Sequence, residues 1–158
     1  MLDNQYKIWD VLCRLKTASL VAASAPATVN GVAGVFDTGA PVVAGQKGAY
    51  TEGKLVLDLA ATTEANLATS GTRVRFILEG STTVNFVTHN NLVDMLWGNV
   101  GGPVMASAGW STSEVGANRY IFPFSNMFGD KVYRYLRLYH FFGGTWGTGI
   151  NYTAFLSK

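Results

Sequence analysis

The chain has 158 residues, the size of one domain, and a fold of this length can bury a hydrophobic core without disulfide bonds. Its 12 basic and 10 acidic side chains give a formal net charge of +2, and charged residues make up 14% of the sequence, against about 25% in an average soluble domain. Together with 13% aromatic residues, this balance excludes a disordered chain and argues against a nucleic-acid-binding protein with a dense cationic face.

The N-terminal region has no sustained periodicity. Its apolar residues fit helical spacing in part, so residues 1–16 are predicted to form an arm or a short helix. From Thr17 onward the composition turns to Ala, Val, Gly, Ser and Thr, and short strands are expected around Ser19–Ala23 and Gly31–Asp37. We therefore place the folded domain at residues 17–158.

The centre of the chain alternates between apolar and polar residues, which is typical of half-buried strands. Lys54–Ala61 is predicted to point Leu55, Leu57 and Leu59 inward, and Arg73–Glu79 to do the same with Val74, Phe76 and Leu78. Ala61–Thr72 between them has the composition of a surface loop. After a turn at Gly80-Ser81, Thr82–Thr88 is predicted to continue as a strand with Val84 and Phe86 inward.

Residues 90–129 are interpreted as a loop-rich insertion. Within it, Asn91–Trp97 fits a short helical turn with Asn90 or Asn91 as its N-cap, and residues 98–116 form a Gly- and Ser-rich loop. Arg119–Ser125 is predicted to be an edge strand or to hold a bulge, because Pro123 cannot donate a ladder hydrogen bond.

The clearest strand signal lies near the C-terminus. Lys131–Phe142 alternates throughout, Gly143–Gly147 is predicted to form a hairpin loop, and Thr148–Leu156 returns with Ile150, Tyr152, Ala154 and Leu156 on one face. Several short strands separated by Gly-rich turns predict a single all-β domain, either a sandwich or a barrel.

The sequence offers no recognisable catalytic constellation. His140 lies within a predicted strand, where a hydrogen-bonded structural histidine is expected, and His89 is predicted to be a solvated turn residue. No serine has the context of a strained nucleophile, and Gly147–Gly149 precedes a strand where a phosphate-binding loop would precede a helix. We predict no catalytic residue, no enzyme activity, no cofactor and no small-molecule substrate.

Metal and membrane sites are not predicted either. Cys13 is the single cysteine and is expected to be a small buried residue, and no Cys/His pattern supplies four metal ligands. Uncharged stretches at 17–36, 95–113 and 138–157 are long enough to span a bilayer, but glycines and polar residues interrupt each of them. The opening MLDNQYKIWD also lacks the pattern of a secretory signal peptide.

Tryptophans in predicted loops and near the N-terminus favour a binding role. Aromatic residues at such positions are enriched where one protein anchors another, although each could equally cover a patch of core. Trp146, at the predicted hairpin tip, is the hardest to bury within its own domain. The candidate partner-contact residues are Leu2, Asp3, Gln5, Tyr6, Trp9, Trp97, Trp110 and Trp146. Stacking on sugar rings is an alternative use of these aromatic residues, as in a carbohydrate- or receptor-binding β-sandwich of a phage tail.

The arginines of the predicted strands favour ion pairing over nucleic-acid binding. Arg134 and Arg137 are predicted on opposite faces of one strand, whereas Arg73 and Arg75 share a face of another. We expect cross-strand pairs with acidic neighbours such as Asp58 or Glu79, or contacts with a partner.

The two ends of the chain resemble a known family. The opening Leu2-Asp3-Asn4-Gln5 is similar to the start of small capsid cement, or decoration, proteins of tailed bacteriophages, of the type known from a Bordetella podovirus. Arg134-Tyr-Leu-Arg-Leu-Tyr139 with Gly143-Gly-Thr145, Thr148-Gly149 and Ala154 resembles that family's final hairpin.

The resemblance implies a jelly-roll-like β-sandwich on the outer surface of an icosahedral phage head, made in the host cytoplasm. It would form a homodimer or homotrimer there and bridge copies of the major capsid protein, without nucleic acid or membrane as partners. Residues Leu2–Trp9 are expected to act as an arm that reaches a neighbour.

Overall fold

A computed structural model describes residues 13–39, 50–59, 72–99, 119–146 and 149–157. It contains thirteen strands: β1 (Arg14–Val21), β2 (Ala25–Pro26), β3 (Thr28–Val29), β4 (Val32–Ala33), β5 (Val35–Asp37), β6 (Glu52–Leu59), β7 (Thr72–Ser81), β8 (Asn90–Asn99), β9 (Arg119–Ser125), β10 (Met127–Phe128), β11 (Lys131–Val132), β12 (Tyr135–Gly143) and β13 (Ile150–Ser157). None of these described segments is helical, so the all-β prediction is confirmed.

The long strands form two antiparallel sheets. The four-stranded sheet has the order β1-β13-β6-β9, and the five-stranded sheet has the order β2-β12-β7-β8, with β5 also paired to β12. The pairs β3–β4 and β10–β11 are short two-stranded ribbons outside these sheets.

The inner faces of the two sheets share one hydrophobic core. The four-stranded sheet contributes Leu55, Leu57 and Leu59 from β6, and the five-stranded sheet contributes Val74, Phe76 and Leu78 from β7. Phe76 meets Tyr152 of β13 edge to face, with ring centroids 4.9 Å apart, so the contact links the two sheets. This arrangement is consistent with a β-sandwich.

Several strand predictions are confirmed at residue level. The leucines predicted to point inward from β6 and the apolar residues of β7 are all buried, as are the four alternating residues of β13. Among the described strands, β9, which contains Pro123, stands last in its sheet, in agreement with the predicted edge position. The folded domain begins earlier than the predicted residue 17. β1 starts at Arg14, so residues 14–16 of the predicted arm belong to a sheet.

The prediction of a helical turn at Asn91–Trp97 is wrong, because these residues form most of β8. The predicted insertion at 90–129 therefore supplies β8, β9 and β10, while residues 100–118 lie outside the described part of the chain. The loop predicted at Ala61–Thr72 also lies outside it, apart from its last residue, which begins β7.

The predicted C-terminal hairpin is also wrong. β12 pairs with β7 in one sheet, whereas β13 pairs with β1 and β6 in the other. The Gly-rich connection after β12 thus crosses from one sheet to the other. Lys131–Phe142 is not one continuous strand either, because it is interrupted at Tyr133 and Arg134 between β11 and β12.

The segment 82–89 is a turn and not the predicted strand. β7 continues through Ser81, whose hydroxyl donates to the Thr88 carbonyl at 2.8 Å and ties the two ends of the turn together. Val84 is exposed. Phe86 is buried as predicted, but it adopts a positive φ of 54° and stacks on Arg137 of β12.

Candidate binding surfaces

A buried polar cluster lies between the sheets. Lys16 of β1, His140 of β12 and Tyr152 of β13 are almost completely buried. The Lys16 ammonium donates to the Thr17 carbonyl and the Ser19 hydroxyl, at a point where β1 bulges out of register with β13. Burial lowers the pKa of Lys16 and raises the pKa of Tyr152.

His140 is the structural histidine that its strand position predicts. Its Nδ1 lies 2.8 Å from the Tyr152 hydroxyl, and the Ala23 backbone is its other hydrogen-bonding partner. Burial, helped by the nearby Lys16 charge, lowers the pKa of His140 from 6.5 to about 4. A neutral ring that accepts from the Tyr152 hydroxyl and donates to the Ala23 backbone satisfies both bonds. We therefore interpret the cluster as structural.

The ribbon β10–β11 projects apolar side chains into solvent. Its two-residue turn, Gly129-Asp130, has φ +64° at Gly129, the conformation that the first position of a type II′ turn requires. Met127 and Phe128, on the first strand, are 42% and 58% exposed. Tyr50 is also exposed, and its hydroxyl donates to the Glu52 carboxylate. The Ser125 hydroxyl nearby accepts from the Met127 amide at 3.1 Å. We call Tyr50, Met127 and Phe128 the tip surface.

Asn126 anchors the tip surface to the body of the fold. Its side chain is fully buried, accepts from the Thr51 amide at 2.8 Å and donates to the Tyr133 carbonyl at 3.0 Å. Its backbone bonds to the same two residues, at 3.0 Å and 2.7 Å. Four bonds from one residue hold the ribbon in a fixed direction, so the tip surface is preorganised for contact.

A groove of about 590 Å³ lies beside the tip surface, between the margins of the two sheets. It is lined by Glu52, Gly53, Lys54, Leu92, Pro123, Phe124 and Ser125. Pro123, Phe124 and Ser125 belong to β9, the last of the described strands in the four-stranded sheet.

A second surface is the outer face of the five-stranded sheet. β12, β7 and β8 place side chains there in register: Arg137 lies opposite Glu79, Tyr139 opposite Ile77, and Phe141 opposite Arg75. A shallow depression of about 410 Å³ covers this region, and Asn91 and His89 complete its lining. We call this the sheet-face depression.

The turn 82–89 closes one end of the sheet-face depression. Phe86 lies with its ring centroid 4.2 Å from the Arg137 guanidinium, and Arg137 Nε donates to Glu79 Oε2 at 2.6 Å. His89 contacts the other Glu79 oxygen at 3.2 Å and bonds to the Phe86 carbonyl at 3.1 Å. His89 is therefore held by two partners, and the prediction of a merely solvated turn residue misses these contacts.

Cross-strand ion pairing is confirmed, with partly different partners from those expected. Arg75 Nε donates to Asp94 Oδ1 at 2.6 Å between β7 and β8, and Arg137 pairs with Glu79 between β12 and β7. Arg119 binds Asp58 through two bonds, at 2.7 Å and 2.8 Å.

Arg134 is the exception to its predicted place in a strand. It precedes β12 and forms two bonds of 2.8 Å with Asp37. These bonds raise the pKa of Arg134 and lower that of Asp37.

The structure describes few of the candidate partner-contact residues. Leu2, Asp3, Gln5, Tyr6, Trp9 and Trp110 lie outside the described residues, and Trp97 lies in β8 with its side chain outside them. Trp146 is partly buried: its ring meets Phe142 edge to face at 4.8 Å, and its Nε1 donates to the Gly143 carbonyl at 3.0 Å. Trp146 therefore packs against its own domain through Phe142 and Gly143. A partner contact by Trp146 stays a prediction.

The tip surface is not among the sites predicted from the sequence. Its signal is the Gly129-Asp130 pair, a short-range hairpin pattern, directly after the two apolar residues Met127 and Phe128. The sheet-face depression has no local signal, because its residues come from three strands and a turn.

Among the residues that the structure describes, no group of three or more His, Cys, Asp or Glu side chains is placed to hold a metal ion. The same part of the chain contains no helix of sufficient length and hydrophobicity to cross a membrane. Cys13 is buried, as predicted. Comparison of the sequence with models of protein families and with curated proteins gives no match.

Proposed function

We propose that this chain is a capsid decoration protein. It binds the outer surface of an icosahedral phage head as a homodimer or homotrimer and bridges copies of the major capsid protein. Its role is structural and needs neither catalysis nor a cofactor.

The strand order supports a jelly-roll fold for this protein. Counting β2 and β5, which both pair with β12, as one edge strand and leaving out the β3–β4 and β10–β11 ribbons gives eight strands in the described part of the chain. Their order is 1-8-3-6 in one sheet and 2-7-4-5 in the other, with every pairing between neighbours antiparallel. A jelly roll has its strands in the same order, and this architecture is common among viral capsid proteins, so the order supports the proposed capsid role by analogy of fold.

The tip surface is the observation that carries the proposed function. Two large apolar side chains on a ribbon of fixed direction offer a compact hydrophobic contact, and burying a Phe contributes about 2 kcal/mol. A chain with 14% charged residues leaves few charges to desolvate when it meets a shell.

Repetition over a shell turns modest contacts into a strong effect. An oligomer that engages several capsid subunits at once binds more tightly than one copy does, because later contacts form at high effective concentration. A bridging protein of this kind resists the separation of neighbouring shell subunits without forming a large interface itself.

Replacing Phe128 with Ala tests the role of the tip surface. Labelled wild type and Phe128→Ala are titrated onto heads purified without the decoration protein, and bound label is measured after sedimentation. Loss of the phenyl contact is expected to weaken binding by about 10-fold or more.

Val32→Ala is the matched control, because Val32 is 72% exposed on the other short ribbon, β3–β4. Wild-type affinity for Val32→Ala with weakened Phe128→Ala supports the tip surface as the contact. Equal affinity of Phe128→Ala and wild type would contradict it.

A further inference from the structure

We propose that the sheet-face depression binds a neutral carbohydrate. This site is separate from the tip surface, and the inference does not rest on the proposed function. It depends on the composition, the charge balance and the rigidity of the depression.

The depression has the dimensions of a small saccharide. β12 and β7 each contribute three lining side chains, two residues apart, and β8 adds Asn91 next to Glu79. Strand spacing and rise per residue make this grid about 10 Å by about 13 Å. Because the surface is open and shallow, it suits a ligand that lies along the sheet better than one that needs an enclosed pocket.

The charges of the depression are balanced in pairs. Arg75 is neutralised by Asp94, and Arg137 by Glu79. A phosphate or a strongly acidic ligand would have to compete with these carboxylates for the arginines. A neutral, hydroxyl-rich ligand can instead hydrogen-bond to the remaining edges of the paired groups.

The lining combines apolar rings with planar polar groups, as sugar recognition requires. Phe141 is 39% exposed, and Tyr139 and Ile77 adjoin it on the same face. The C–H face of a pyranose can pack on Phe141 and Tyr139, because Ile77 beside them is only 8% exposed. The guanidinium, carboxylate and Asn91 amide groups around it can bond to adjacent hydroxyls.

The polar side of the depression is held in place before any ligand binds. Glu79 is only 4% exposed although it lies on an outer face, because Arg137, His89 and Phe86 surround it. Fixed groups lose little side-chain entropy on binding, which matters for a shallow site with few contacts. The turn 82–89, tied by Ser81 to Thr88, therefore works as a wall of the site.

Titration followed by backbone NMR tests the site. The full chain, labelled with ¹⁵N, is titrated with maltose, lactose and methyl α-mannoside to about 10 mM, a range that detects dissociation constants near 1 mM. Glucuronic acid is added in parallel as an acidic probe. We expect at least one neutral sugar to shift the amides of β7, β8 and β12 in a saturable manner.

Three variants locate the effect. Phe141→Ala should weaken sugar binding about 10-fold, whereas Phe141→Trp should retain it because the stacking surface remains. Phe128→Ala, on the tip surface, should bind sugar like wild type.

The proposal is overturned if no neutral sugar shifts these strands, if glucuronic acid alone binds, or if Phe141→Ala binds as wild type does. A negative result in the sugar titration would not affect the proposed function, because the head-binding experiment tests Phe128 on the tip surface.

Discussion

At the scale of single residues, His140 makes the stability of the protein depend on pH. The ring is 2% exposed, and its hydrogen bonds to Tyr152 and the Ala23 backbone are satisfied by the neutral form. A proton added to the folded protein would place a second positive charge near the buried Lys16 ammonium. The folded state therefore disfavours protonation, which is why burial and Lys16 lower the pKa of His140 to about 4.

The sign of the effect follows from which state binds the proton. Between pH 6.5 and about 4 the unfolded chain binds a proton at this histidine that the folded protein does not bind. The contribution to stability is thus complete above pH 6.5 and is lost as the pH falls through this window. Lowering the pH from 7.5 to 5 is expected to reduce the free energy of unfolding by about 2 kcal/mol through this residue.

Urea unfolding of wild type and His140→Gln at both pH values measures this contribution. The other titrating groups act in both proteins, so the difference between the two pH dependences isolates His140. Between pH 7.5 and pH 5, the free energy of unfolding of wild type is expected to fall by about 2 kcal/mol more than that of His140→Gln. An equal fall in the free energy of unfolding in both proteins would contradict the assignment of His140 as a buried neutral group.

At the scale of elements, glycines with positive φ set the turns and the crossing between sheets. Asn30-Gly31 joins β3 and β4 with φ values of +52° and +83°, as in a type I′ turn. Gly149, just before β13, has φ +88°, and a Cβ there would lie 2.4 Å from the Val21 carbonyl oxygen. Gly149 is therefore required both for its φ and for the close approach of β1.

Comparing Gly149→Ala with Gly31→Ala separates these two requirements. Both variants place alanine at positive φ, which costs about 1–2 kcal/mol. A Cβ at Gly31 would meet no atom within 4 Å, so only Gly149→Ala adds a steric clash with backbone. We expect Gly149→Ala to lose at least about 2 kcal/mol more than Gly31→Ala in chemical denaturation. Equal losses would show that the approach of β1 to Gly149 is not tight.

Regular alternation explains which strands could be predicted. β6 and β13 are flanked by strands on both sides, and one set of side chains meets the core without interruption, so their pattern is unambiguous. The sequence of β8 predicts a helical turn because the pairing of β8 with β7 contains a bulge. Leu78 pairs with Val93 and Glu79 pairs with Asn91, which leaves Leu92 unpaired between them.

The bulge also explains why the sequence predicts a helical turn and not a loop at this position. Leu92 and Val93 are adjacent in sequence, yet both pack against the core. Two consecutive, partly buried residues on the core side break the alternation of a strand and imitate helical spacing.

At the scale of the whole molecule, local patterns do not determine which sheet a strand joins. The alternation of β12 and β13 predicts two strands correctly, but their proximity in sequence wrongly suggested a hairpin. β12 is an inner strand of the five-stranded sheet and β13 is an inner strand of the four-stranded sheet. The connection between them therefore crosses from one sheet to the other. The same limit applies to the binding surfaces: the tip surface has a sequence signal in one ribbon, whereas the sheet-face depression depends on the register of three strands.

The two surfaces give the molecule two separate functional faces in this account. The tip surface is assigned to the shell, and the sheet-face depression is assigned to a carbohydrate ligand. A sandwich with one shared core can present both without coupling them, so a variant at one surface is expected to leave the other unaffected.

The most direct measurement of the central claim is the stoichiometry of the chain on phage heads. If the proposed function is right, the chain is a component of phage heads. These heads are purified, and the ratio of this chain to the major capsid protein is determined by quantitative mass spectrometry. The account predicts a fixed ratio that is restored when purified chain is added to heads that lack it. Absence of the chain from intact heads, together with no binding of added chain, would contradict the account.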